Sequence, residues 1–120
     1  MKEILKDAGL TKNETLVYLN LLKLGKAKAS KIIREAKVSS GKIYETLDKL
    51  IEKGLVKTVI ENGVKTFIAA DPNTLLLYLK EKEKKLREQE KKLENIIPDL
   101  KNLMKTAEVK ETVSLIKGFR

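Results

Sequence analysis

The chain has 120 residues, of which 42% are hydrophobic and 4% aromatic, with 26 Lys and Arg against 17 Asp and Glu for a formal net charge of +9. That length accommodates one aliphatic core plus an appendage, and the basic surplus favours an anionic partner, nucleic acid before membrane surface. Because Cys and His are both absent, disulfides, the usual zinc and haem ligands, and Cys–His or Ser–His nucleophile systems are excluded, so no metal or cofactor is expected.

A short helical turn or two is expected over Glu3–Ala8. The first clear helix begins at Thr11, where Thr11-Lys12-Asn13-Glu14 has the form of a capping box: hydroxyl and carboxylate satisfy the first orphan amides. Leu10 precedes it as a hydrophobic staple. Leu16, Val17, Leu19, Leu21 and Leu22 give it a broad apolar face, and Gly25 ends it. A second helix is predicted from Ala29 to Ala36, with Ile32, Ile33 and Ala36 on one side. Lys37-Val38-Ser39 makes the turn. Ser39 or Ser40 then caps a third helix that runs to Lys53, with Ile43, Leu47 and Leu50 as its buried stripe and Ile51 beside them. Gly54 is the stop.

The periodicity then changes. Leu55–Ile60 and Val64–Ala69 are rich in β-branched residues and flank Glu61-Asn62-Gly63, and Asn-Gly is a strong signal for a type I′ hairpin turn. Asp71-Pro72 supplies an N-cap and a first helical residue for the last element. Leu79, Leu86, Leu93 and Leu100 recur at sevens. Leu75, Leu76, Ile96, Ile97, Leu103 and Met104 fill a second seam at both ends, while Lys82, Glu83, Gln89 and Glu90 leave its centre polar. This is a coiled-coil pattern. Pro98 is expected to kink that helix, because the leucine row continues past it. Three parts follow: a domain over residues 1–70, a coiled-coil dimerisation helix over 71–106, and a strand or loose tail over 107–120.

Three helices followed by a hairpin is the order of a winged helix-turn-helix, so the fold class is mainly α with a small β-hairpin, followed by a long C-terminal coiled-coil helix. In that arrangement the third helix enters the major groove of DNA and the hairpin is the wing. Lys23–Lys57 carries 10 basic and 4 acidic residues, the whole +6 surplus of the first 70. Removing the buried stripe leaves Gly41, Lys42, Glu45, Thr46 and Lys49 facing outward, with Ser39 and Ser40 at the helix start. Serine hydroxyls and helix-start amides suit phosphate oxygens. Lys42 suits a phosphate or a guanine edge, and Glu45 suits cytosine. Gly41 permits close backbone approach. Tyr44 borders the stripe, with core packing and phosphate contact both open. Lys26, Lys28 and Lys31, with Ser30, flank the DNA backbone, and Asn62 and Lys65 are the wing candidates. Leu75, Leu76, Leu79, Leu86, Leu93, Ile97, Leu100 and Met104 are the dimerisation residues, joining two copies as a parallel or crossed helix pair.

These residues resemble the TrmB-like family of archaeal winged-helix transcriptional regulators. The likeness runs from Leu10-Thr11-Lys12-Asn13-Glu14 through Val17-Tyr18-Leu19, Leu22-Lys23-Leu24-Gly25 and Ala29-Ser30-Lys31-Ile32. It continues over Val38-Ser39-Ser40-Gly41-Lys42-Ile43-Tyr44-Glu45-Thr46-Leu47 and ends on Leu50-Ile51-Glu52-Lys53-Gly54-Leu55-Val56. The resemblance implies sequence-specific binding of double-stranded DNA, homodimerisation through the following helix, and control of transcription. Longer members carry a sugar-binding effector domain. Val113-Ser114-Leu115-Ile116-Lys117-Gly118-Phe119 resembles its first strand, and then the sequence stops, which leaves any small-molecule effector open. The rival reading is a winged helix used as a protein–protein module of the transcription machinery. An enzyme is not expected, since neither a Gly-rich phosphate loop nor an interior acidic pair is present. No apolar run nears the roughly 18–20 residues of a membrane span, Lys80–Lys105 interleaves six Asp and Glu with its nine Lys and Arg, unlike a basic membrane binder, and MKEILKDAGL is too charged for a signal peptide. The expectation is a cytoplasmic protein without a membrane partner.

Overall fold

The computed structural model describes the backbone of residues 1–117 and the side chains of residues 1–107. In chain order the elements are α1 (Lys2–Asp7), α2 (Lys12–Leu24), β1 (Lys26–Ala27), α3 (Ala29–Ala36), α4 (Ser40–Glu52), β2 (Val56–Glu61), β3 (Val64–Ala69) and α5 (Thr74–Lys117). The chain divides into two compact units, Met1–Lys80 and Glu81–Arg120.

In the first unit, α2 starts as its sequence dictates. Thr11 Oγ1 accepts from the Glu14 amide at 3.1 Å, and Glu14 Oε1 accepts from the Thr11 amide at 2.7 Å, so both halves of the capping box are made. The three central helices pack their apolar faces together, with Val17, Leu21, Ile32, Ile43, Leu47 and Leu50 all 0% exposed, as is Leu55 in the turn after α4. Each large aliphatic side chain buried this way contributes about 1.5–3 kcal/mol. Tyr18 is buried as well, and its hydroxyl donates to the Ala70 carbonyl at 3.0 Å. Burial, with the nearby Asp71 charge, pushes the Tyr18 hydroxyl above its ordinary pKa. Leu22 departs from the expected apolar face and is exposed. It sits at the edge of the stripe, where core contact has ended.

The hairpin is antiparallel, in register from Val56 opposite Ala69 to Glu61 opposite Val64. Asn62 and Gly63 both have positive φ, 51° and 75°, as a type I′ turn requires. A third strand, β1, was not foreseen. Its two residues pair with Ile68 and Phe67, giving the sheet order β1-β3-β2.

The start of α5 differs from the expected cap. Asp71 Oδ1 accepts from the Asn73 amide, and the amides of Thr74, Leu75 and Leu76 bond three residues back, to Asp71, Pro72 and Asn73. That spacing is a tight turn, so the α-helix begins at Thr74 and not at Pro72. In the second unit the helix runs through Pro98 and on to Lys117. This overturns the strand or loose tail expected over 107–120: no Gly or Pro interrupts residues 106–117, and the scattered β-branched residues there do not alternate as a strand would. The last three residues of that expectation lie outside the described ones.

Candidate nucleic-acid interface

Helix α4 carries the candidate reading surface. Ile43, Leu47 and Leu50 anchor it from behind, each completely buried. On the other side Ser39, Ser40, Gly41, Lys42, Tyr44, Glu45 and Lys49 are exposed. Tyr44 is 57% exposed, which removes the core-packing alternative in the single chain. Ser39 is the N-cap but makes no side-chain capping bond, so its hydroxyl is not committed to the helix. Gly41 has open space where a Cβ would stand.

Thr46 is a correction. It was expected to face outward, but it is 6% exposed, and its Oγ1 donates to the Lys42 carbonyl at 2.8 Å. A hydroxyl satisfied by its own helix can be buried at little cost, so periodicity of polar residues alone misplaces it. Leu75 is a second correction. It packs partly against the core of its own domain and is not a free seam residue, because α5 still lies on that core at its first turn.

Around α4, Lys28, Ser30 and Lys31 are exposed at the start of α3. Together with Lys26, Arg34 and Thr66 they border an open cavity of about 430 Å³. Arg34 was not singled out from the sequence, although it stands one turn after Lys31, on the same side of a helix. Lys26 also forms an ion pair with Glu61 on β2. On the wing, Asn62 serves the turn itself, and the Lys65 ammonium lies 5.8 Å from the centre of the Phe67 ring.

The most buried charge in the domain is Glu14, 1% exposed. Lys53 donates to both of its oxygens at 2.8 Å and to the Gly9 carbonyl at 3.1 Å, and its ammonium lies 5.8 Å from the Tyr78 ring centre. Burial pushes the Glu14 carboxyl up. The bonds from Lys53 and from the Thr11 backbone, with the Lys53 charge, outweigh it and hold the group below its ordinary pKa. Lys53 thus ties together the starts of α2 and α5 and the end of α4.

Along α5, Leu76, Leu79, Leu86, Leu93, Ile97, Leu100 and Met104 are 41% to 62% exposed. Leu77, not anticipated, is 62% exposed as well. Among the described residues no cluster of acidic side chains is placed to hold a metal ion, and no helix is long and apolar enough to cross a membrane.

Comparison with known proteins places this geometry. The family described as sugar-specific transcriptional regulator TrmB matches residues 5–73. The HTH-type sugar sensing transcriptional regulator TrmBL1 of Pyrococcus furiosus is 35% identical over 77 residues, which are 64% of this chain and 22% of that protein. Among solved structures, TrmBL2, an archaeal chromatin protein, has a TM-score of 0.78 at 22% identity, covering 93% of this chain and 44% of that one. A MarR family transcriptional regulator from Silicibacter pomeroyi has a TM-score of 0.54 at 17% identity over 99% of this chain and 78% of its own. The chain thus spans less than half the length of the TrmBL proteins it matches. The fold is that of winged-helix regulators, mainly helical with a small sheet and a long C-terminal helix. Since the family match covers more than half of the chain, it belongs to the TrmB family of transcriptional regulators.

Proposed function

We propose that the chain binds double-stranded DNA as a homodimer and regulates transcription by occupying its sites, without catalysis. Helix α4 lies in the major groove, with Ser39, Ser40, Gly41, Lys42, Tyr44, Glu45 and Lys49 towards the duplex. The β2–β3 wing carries Asn62 and Lys65 to the flanking backbone or minor groove, and Lys28, Ser30 and Lys31 reach phosphates. The observation that carries this reading is the division of α4: one side is anchored in the core with no exposure at Ile43, Leu47 and Leu50, and the other is polar and open. A B-form major groove about 12 Å wide accepts a helix presented this way. TrmBL2, similar in fold at 22% identity, is an archaeal chromatin protein with a novel mode of DNA binding, which supports DNA as the partner and leaves the docking geometry to experiment.

One such domain is a small module that seldom binds tightly alone. Two copies joined through α5 address two half-sites about one helical turn apart. The exposed leucines at every seventh position support that joining. The test is a mobility shift of a duplex library by the purified chain at two salt concentrations. Sequence-dependent retention that weakens steeply with salt is the expected result; no retention even in dilute buffer overturns the proposal.

A further inference from the structure

The cations of α4 are not spread around its open face. Lys42, Glu45 and Lys49 follow one another at three- and four-residue spacing and so share one flank; Tyr44 and Asp48 share the other. The Lys42–Lys49 flank borders a groove of about 280 Å³ whose far wall is the start of α2, with Thr11, Lys12 and Asn13. Lys12 is exposed there, so three ammonium groups from two helices face one cleft. Glu14 also lines it, but its buried carboxylate is held by Lys53 at 2.8 Å and brings no uncompensated negative charge. Glu45 is then the one free carboxylate among the groove's lining residues. The rest of the open face is acidic by comparison, with Asp48 and Glu52 both exposed.

We infer that the α2–α4 groove takes one phosphodiester strand of the duplex, with Lys12 a phosphate contact beside Lys42 and Lys49. The inference rests on the DNA-binding reading and adds to it a direction. The backbone runs along the α2 side of α4, while Tyr44 and Asp48 turn to the base edges, where a carboxylate can accept from cytosine and is kept from phosphate oxygens. Lys12 therefore fixes where the helix lies in the groove and carries no sequence information itself.

The test is duplex affinity measured by fluorescence anisotropy across a salt series, for the wild type, Lys12→Ala, Lys12→Arg and Lys49→Ala. Lys23→Ala, at the opposite end of α2, is the control. Circular dichroism verifies that each variant keeps its helices. Each lost phosphate contact lowers the slope of log affinity against log salt by about 0.9. Lys12→Ala and Lys49→Ala are expected to show that loss, with affinity weakened about three- to tenfold and equally on every sequence. Lys12→Arg is expected to retain the slope, and Lys23→Ala to leave it unchanged. A wild type that binds while Lys12→Ala keeps its slope, or loses no more than Lys23→Ala, overturns the groove assignment and leaves the DNA-binding reading standing. A wild type that binds no duplex overturns both.

Discussion

Replacing Gly41 by alanine is expected to move stability and DNA affinity in opposite directions. Gly41 is the second residue of α4, has no positive φ, and offers a Cβ nothing to touch within 4 Å. Alanine is about 1 kcal/mol better than glycine inside a helix, and it also restricts the unfolded chain. So near the helix start, Gly41→Ala stabilises the free protein by about 0.5–1 kcal/mol. For a cooperative unit of this size that raises the melting temperature by about 3–6 °C. The same methyl group would stand on the side of α4 proposed to meet the duplex. On that reading it is expected to hold the backbone away from the bases and to weaken binding by about 1 kcal/mol or more, roughly fivefold. Differential scanning calorimetry reads the first effect and fluorescence anisotropy on a bound duplex the second. Because the variant is the more stable protein, weaker binding cannot be assigned to unfolding. A higher melting temperature with affinity unchanged would refute the close approach at Gly41.

Three further outcomes follow from the same geometry. Lys42→Ala is expected to weaken binding about equally on all duplexes, as the loss of a phosphate contact in the α2–α4 groove does; a loss of about 1–3 kcal/mol confined to a preferred duplex would instead make Lys42 a base reader. Glu14→Gln leaves the Lys53 ammonium partly buried without its counter-charge and costs about 3 kcal/mol in urea unfolding. Since the folded-state pKa of Glu14 lies below its ordinary value of 4.5, the stabilisation is fully present above that pH and is lost as pH falls through the lowered value; Glu14→Gln is expected to abolish that part of the acid dependence. Lys37 ends α3 in the left-handed region, φ 56° and ψ 39°, so Lys37→Gly relieves that strain and raises stability by about 0.5–1 kcal/mol in the same unfolding assay.

What could be read from the sequence was local or periodic. The capping box is four adjacent residues, and Thr11 and Glu14 meet in the structure as their spacing implies. Asn62-Gly63 fixes the hairpin by backbone conformation alone, and the 43, 47, 50 stripe follows from helical period. What escaped is set by distant partners. β1 has two residues, too few for a pattern, and exists because β3 pairs with it. The Glu14–Lys53 pair joins residues 39 apart in the chain, and neither residue signals the other. Thr46 is polar yet buried, because its hydroxyl is satisfied within its own helix. In the site, the α4 face was legible as a period-3.6 remainder. The α2 wall of the groove was not, since Lys12 is one lysine among many until the fold sets it opposite Lys42 and Lys49.

The central claim is that the hydrophilic side of α4 meets the duplex, and amide chemical-shift mapping tests it most directly. On adding duplex DNA to isotopically labelled protein, the account predicts the largest shifts from Ser39 to Lys49, with smaller ones at Asn62, Lys65 and the start of α3. Shifts confined to the charged stretch Lys80–Lys92 of α5, with Ser39–Lys49 unmoved, would contradict it.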